Sequence, residues 1–240
     1  MSMDPLVVRA RGLWEELASV PVSFGSAGGV SVGVSPTSRI CPAGWVGVVS
    51  VGGSAIVTAP GEGAAALVRE ALAMLPVAAV TQAEAVRGVL PVARVLGPAA
   101  LAYVSEDRFR PAPSGSLTVE QLPGEHRELR GLEERAGEED SREAGLWEIT
   151  SPAFVVRDAG EVVAAAGYRS WPSRTAHISV LTAPAWRGRG LARVTGSAAA
   201  AHALAAGLLP QWRARVPASR RVAVALGFEE VGAQLSIELR

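Results

Sequence analysis

Apolar residues recur at two different periods along the chain, and these periods predict both helices and strands. In the first half, apolar residues at helical spacing predict helices at 6–19, 64–75 and 82–90. Valine-rich runs predict strands at 30–34 and 45–58, and the apolar run 101–104 predicts another. Gly52-Gly53 divides the longest of these runs and predicts a hairpin turn, because glycine accepts the positive φ that such turns need. The first half therefore reads as a small α+β unit.

The second half shows a clearer alternation of elements. Strands are predicted at 117–121, 153–157, 161–168, 175–182, 208–216, 229–234 and 235–239. Helices are predicted within 124–142, at 190–206 and at 219–226. Between the halves, the segment 108–116 is rich in Pro, Gly and Ser, which is typical of a linker. The pattern predicts two domains, 1–112 and 113–240, both of the α+β class.

Composition narrows the range of functions. The 240 residues carry 23 basic and 23 acidic side chains, and this zero balance argues against a sequence-independent nucleic-acid binder. Every basic residue is an arginine, which excludes lysine chemistry within this chain. A single cysteine, Cys41, excludes a disulfide framework, and three dispersed histidines argue against a metal site. The N-terminus lacks signal-peptide features and no apolar run reaches about 18 residues, so we expect a cytoplasmic protein without membrane contact.

One segment, 180–192, has the pattern of an anion-binding turn. A strand ends in a loop at Pro184, and an Arg/Gly turn then opens a long helix. The first amides of a helix have no intrahelical acceptor, and the helix dipole adds partial positive charge there. Gly188 and Gly190 let the backbone approach an anion closely, and Arg187 and Arg189 add charge. The segment therefore predicts a pyrophosphate site.

The same residues resemble a known family. The run Arg187-Gly188-Arg189-Gly190-Leu191-Ala192 matches the acyl-CoA signature of the GNAT superfamily of N-acetyltransferases, Gln/Arg-x-x-Gly-x-Gly/Ala. The segment 219–228, ending in Leu-Gly-Phe, is similar to the family's second helix, and 231–239 is similar to its closing strands. The resemblance covers about 116–240. A dinucleotide-binding turn is the main alternative, but it needs a third glycine where Arg193 stands.

The resemblance implies a GNAT-like mixed sheet flanked by helices and a direct transfer of an acetyl group from acetyl-CoA to an amine. The pyrophosphate would lie on the amides of 188–192, and the pantetheine arm would run beside Val180, Leu181 and Thr182. A backbone amide near Leu181 would stabilise the oxyanion, and Ser219 would also contact the cofactor. No metal is required.

The sequence departs from the family at one catalytic position. The tyrosine that many family members carry on the second helix is replaced here by Ala223. His177 and Glu148 are the candidate bases, and the acidic cluster 138–143 is a candidate attractant for a cationic amine. The acceptor is expected to be a small-molecule or peptide amine, not nucleic acid. A non-catalytic acyl-CoA sensor is the alternative function. A homodimer and the role of the N-terminal domain, including that of a degenerate copy of the same fold, stay open.

Overall fold

The structure is a computed structural model, which describes residues 3–25 and 28–240. Its mixture of helices and strands confirms the predicted α+β class. The chain packs into two compact units, one formed by Met1–Ala102 with Glu230–Arg240 and the other by Tyr103–Glu229. These units do not coincide with the segments 1–112 and 113–240. The difference arises because the last strand pairs with a strand of the first unit.

The first unit is built around a five-stranded sheet. Its helices are α1 (Pro5–Ala18), α2 (Glu62–Leu72) and α3 (Ala83–Arg87). Its strands are β1 (Val30–Val34), β2 (Val46–Val51), β3 (Ser54–Ala59), β4 (Val92–Tyr103) and β10 (Glu229–Leu239), in the order β1-β3-β2-β10-β4. The two strands predicted after residue 228 form one strand, β10. Strand β4 begins nine residues earlier than predicted. The prediction was short because Gly97-Pro98 lies inside the strand, and this dipeptide usually interrupts a strand.

The predicted hairpin at Gly52-Gly53 connects β2 and β3. Both glycines have a positive φ, 59° and 82°. Arg11 of α1 is buried and donates hydrogen bonds of 3.0 Å to the carbonyl oxygens of Val51 and Gly52. These hydrogen bonds fix helix α1 to the turn.

The second unit holds the segment that resembles the acyl-CoA signature. Its strands are β5 (Glu120–Leu122), β6 (Ala153–Asp158), β7 (Glu161–Trp171), β8 (Thr175–Thr182) and β9 (Leu209–Ala214), in the order β9-β8-β7-β6-β5. Its helices are α4 (Arg127–Ala136), α5 (Glu138–Ala144), α6 (Leu191–Ala205) and α7 (Pro217–Ala225), and a 3-10 turn lies at Leu146–Glu148. Neighbouring strands are antiparallel except β8 and β9, which are parallel.

Strand β8 is covered by helices on both faces, which fixes what each of its side chains contacts. Leu181 belongs to an apolar cluster with Leu129 and Leu132 of α4. Val180, on the opposite face, lies beside Gly196 of α6. A Cβ at Gly196 would come within 2.9 Å of the Trp212 ring, so glycine at this position lets α6 pack closely on β9. Strand β8 thus carries the start of the segment 180–192 and is also the strand on which helices α4 and α5 pack.

The predicted linker is irregular in structure but is held in place. The amide of Arg110 donates to the carbonyl oxygen of Leu226 at 3.0 Å. The amide of Ala112 donates to Ser197 Oγ on α6 at 2.9 Å. The segment therefore runs along helices α6 and α7 of the second unit.

Candidate active site

Strands β8 and β9 separate after a short stretch of pairing. Thr175, Ala176 and His177 pair with 209–211, and the register ends there although β8 continues to Thr182. On its other edge, β8 pairs with β7 along its whole length. Within the described ranges 3–25 and 28–240, the edge of β8 at 178–182 therefore has no strand partner. Such an edge can hydrogen-bond an extended ligand as if it were an added strand.

The register also decides which backbone groups of β8 face the opening that lies between β8 and β9 beyond residue 177. The amide of Ala183 donates to the carbonyl oxygen of Val163 on β7, at 3.0 Å. Because N–H and C=O groups alternate in direction along a strand, the amide of Leu181 also points toward β7. The amides of Val180 and Thr182 point toward the opening. The oxyanion-stabilising amide expected near Leu181 is therefore best supplied by one of its two neighbours.

Thr182 carries a further polar group at this opening. Its Oγ1 is buried and has no hydrogen-bond partner among the residues that the structure describes. A buried hydroxyl without a partner is costly, and a ligand with a polar group can satisfy it. The place of Thr182 beside a bound cofactor stays a prediction.

The turn before α6 presents an uncapped helix terminus. Gly188 and Gly190 have φ values of 79° and 77°, and Gly190 is the N-cap of α6 without a side-chain cap. A Cβ added at either glycine would meet no atom within 4 Å, so open space lies before both. The amides of Arg193 and Val194 donate to the carbonyl oxygen of Gly190. The amides that precede them, those of 191–192 included, have no intrahelical acceptor and remain for an anion.

The two arginines of the turn differ in their surroundings. Arg187 donates through Nη2 to Asp140 Oδ2 of α5 at 2.5 Å, and through Nε to the carbonyl oxygen of Thr182 at 3.3 Å. Arg189 donates to the carbonyl oxygen of Ala185 at 3.3 Å and is exposed. Arg187 is thus an anchor between α5 and the turn, whereas Arg189 is the more available cation for a phosphate.

Ser219 and Ala223 lie on α7. Ser219 Oγ accepts a hydrogen bond of 2.9 Å from Trp212 Nε1, so the hydroxyl positions this indole. Ala223 is buried at 2% exposure. It offers no acidic group at the position where the family resemblance places a tyrosine.

His177 is held in a polar and aromatic environment. Its ring stacks on Trp171 with a centroid distance of 4.2 Å, and its Nδ1 lies 2.7 Å from Gln211 Oε1. Gln211 donates through Nε2 to the hydroxyl of Tyr103, so its Oε1 is the acceptor for the imidazole N–H. Burial, with help from Arg213 and Arg169, lowers the pKa of His177 to about 3. A neutral imidazole with so low a pKa is a weak proton acceptor.

This low pKa predicts a pH dependence of stability. The unfolded chain binds a proton at His177 below about pH 6.5, whereas the folded chain does not until about pH 3, so acidification through this window favours unfolding. We expect the midpoint of thermal unfolding to fall less steeply between about pH 6.5 and about pH 4 in His177→Gln than in the parent. Parallel melting curves across this range, with equal slopes for the two proteins, would contradict the prediction.

Glu148 lies in an exposed ion pair. Its Oε2 is 2.8 Å from Arg169 Nη1, and both side chains are about half exposed, at 46% and 47%. The register places Arg169 opposite His177 on the strand pair β7–β8, so the two predicted bases lie on the same face of the sheet. Glu148 is thus engaged by a guanidinium at the surface, and its role as a base stays a prediction.

A second acidic residue, Glu133, lies on α4 and was not singled out from the sequence. Its Oε1 is buried and has no hydrogen-bond partner among the described residues. Its carboxylate accepts the amide N–H of Trp147, and burial raises its pKa. The signal in the sequence is its spacing: Glu133 follows Leu129 by four residues and precedes Ala136 by three, both of which are buried.

The chain is similar to known acetyltransferases in part of its sequence and in its fold. Residues 151–234 match a family model described as GNAT acetyltransferase. A GCN5-related N-acetyltransferase from Kribbella flavida is similar in structure over 98% of this chain and 96% of its own, with a TM-score of 0.52 and 16% identity. A GNAT-family acetyltransferase from Colwellia psychrerythraea matches over 62% of this chain and 59% of its own, with a TM-score of 0.47 and 15% identity.

A GCN5-related N-acetyltransferase-like protein from Streptococcus suis matches over 61% of this chain and 63% of its own, with a TM-score of 0.43 and 24% identity. The present chain thus spans less than two thirds of the length of the last two proteins. No curated protein matches the sequence. At these identities the solved structures establish the fold alone. No helix within the described residues is long and apolar enough to cross a membrane.

Proposed function

We propose that this chain, a member of the GNAT superfamily through its C-terminal half, transfers an acetyl group from acetyl-CoA to an amine. The observation that carries the proposal is the unpaired edge of β8 at 178–182, which leads directly into the uncapped terminus of α6. An extended arm with two amide groups fits the edge, and a pyrophosphate fits the turn. These two features lie within about a dozen residues of one another in the chain.

In this proposal, the pantetheine arm hydrogen-bonds to the backbone of Val180 and Thr182, and Thr182 Oγ1 gains a partner. The pyrophosphate lies on the amides at the start of α6, with Arg189 beside it. The thioester carbonyl then lies against an amide of the open edge. This amide stabilises the oxyanion that forms when the amine attacks, because it is already oriented toward the place where charge develops. The acceptor is a small-molecule or peptide amine.

The transfer is tested by mixing the purified protein with acetyl-CoA and a panel of primary amines that includes an amino acid, a diamine, an arylamine and a short peptide. Release of the CoA thiol in proportion to the acetylated amine supports the proposal. Calorimetric titration with CoA measures binding separately. Failure to bind CoA would overturn the site, and binding without thiol release would overturn the enzymatic function.

The last outcome describes the second candidate function, an acyl-CoA sensor without catalysis. Two observations favour it: Ala223 occupies the position of the expected acid, and the pKa of His177 lies near 3. Departure of a thiolate does not require an acid, however, because a thiol of pKa about 8.5 is a tolerable leaving group near neutral pH. The transfer reaction therefore remains the first proposal, and its main requirement is a group that takes the proton of the amine.

A further inference from the structure

Glu133 lies on the face of the sheet where α4 and α5 cover β8. Helix α4 contacts β7, β8 and the 3-10 turn at Leu146–Glu148. The Glu133 carboxylate accepts the amide N–H of Trp147 in this turn. Its Oε1 is buried and has no hydrogen-bond partner within residues 3–25 and 28–240. One oxygen therefore holds the carboxylate in place, and the other remains able to accept a proton.

The 3-10 turn that this carboxylate contacts lies beside the open edge of β8. Ser179 Oγ donates to the carbonyl oxygen of Gly145 at 3.4 Å, just before the turn. Ile149, just after the turn, packs against Gly167, which pairs with Ser179 across β7 and β8. The turn thus lies over Ser179, two residues beyond the last residue of β8 that pairs with β9. Here the proposed acyl group and its attacking amine would meet.

Among the residues that the structure describes, Glu133 forms no ion pair. Its own helix contributes Arg130, which lowers the pKa by less than burial raises it. The 3-10 turn contributes Glu148, which is paired with Arg169 of β7, and α5 contributes Glu143, which is paired with Arg215. Strand β8 contributes His177, whose imidazole is neutral near pH 7. A partly buried carboxylate with a raised pKa is a better proton acceptor than a fully exposed one.

We propose that Glu133 is the catalytic base of this protein, a role that rests on the proposed transfer reaction. An ammonium group R–NH₃⁺ gives one proton to the Glu133 carboxylate, and the neutral amine attacks the thioester carbon. The C–N bond forms and the C–S bond breaks. The second proton of the nitrogen passes to the departing thiolate, which leaves as the CoA thiol. Glu133 then releases its proton to solvent, so the reaction yields one amide, one thiol and one proton.

The test compares Glu133→Gln with Glu134→Gln, the exposed neighbour on the same helix. Glutamine keeps an oxygen that can accept the Trp147 amide, so a merely structural role for the side chain survives the change. We expect Glu133→Gln to bind CoA as the parent does and to lower kcat by about 10²–10⁴-fold with the best amine of the panel. Glu134→Gln should keep the parental rate.

The pH profile separates a base from a positioning group. In the parent, kcat/KM should rise as Glu133 loses its proton, with an apparent pKa above the ordinary value for glutamate, and Glu133→Gln should lack this limb. A Glu133→Gln protein with the parental rate and the parental profile overturns the assignment while leaving the transfer reaction intact. Failure of the parent to acetylate any amine of the panel overturns the transfer reaction and the assignment with it.

Discussion

Replacing Gly190 with valine is expected to weaken CoA binding at least tenfold, which corresponds to about 1.4 kcal/mol. Gly190 has a φ of 77°, a conformation that β-branched residues rarely adopt, so valine would shift the turn away from its present course. The added side chain would also enter the open space before α6, where we propose that the pyrophosphate lies. Calorimetric titration with CoA measures the effect.

The matched control is Gly53→Val. Gly53 has a similar φ of 82° and equally open space around a Cβ, but it lies in the hairpin between β2 and β3. Both variants carry the same kind of local strain, so a general loss of folding would appear in both thermal melts. We expect only Gly190→Val to lose CoA affinity. Equal affinities for the two variants would place the anion site elsewhere.

The parts of the structure that sequence predicted well are those that local patterns determine. The resemblance to the GNAT superfamily is confirmed, and it depended on a run of six residues followed by a long helix. The hairpin at Gly52-Gly53 and the strand Val30–Val34 also follow from local chemistry, because glycine permits the turn and valine favours the strand. Such features need no knowledge of distant residues.

The features that the sequence did not predict depend on contacts between residues far apart in the chain. Arg187 was expected to add charge for an anion, but Asp140, 47 residues before it, holds it in an ion pair. Strand β10 pairs with β2, as in the pair of Gly232 with Val51, and no local pattern indicates so distant a partner. The pKa of His177 depends on burial and on guanidinium groups from other strands. Glu133 was not singled out because its neighbours on the helix are mostly polar.

Gly227 is expected to be the least replaceable glycine of the second unit. It is the middle residue of the Leu-Gly-Phe segment after α7 and has a φ of 87°. A Cβ there would lie 2.1 Å from the carbonyl oxygen of Arg108. Since that atom belongs to the backbone, the collision cannot be relieved by a change of side-chain rotamer. We expect Gly227→Ala to lower the unfolding free energy by about 3 kcal/mol or more.

The comparison with Gly160→Ala separates the collision from backbone strain. Gly160 also has a φ of 87°, but a Cβ there would meet no atom within 4 Å, so its replacement should lower the unfolding free energy by about 1 kcal/mol. In a chain of this size each kcal/mol shifts the unfolding midpoint by about 2–4 °C, so thermal melts resolve the two variants. Equal shifts would mean that the segment of Arg108 moves aside easily. A larger shift for Gly227→Ala would show that the segment of Arg108 stays in place. The hydrogen bond from the Arg110 amide to the Leu226 carbonyl oxygen would then account for its position against α7.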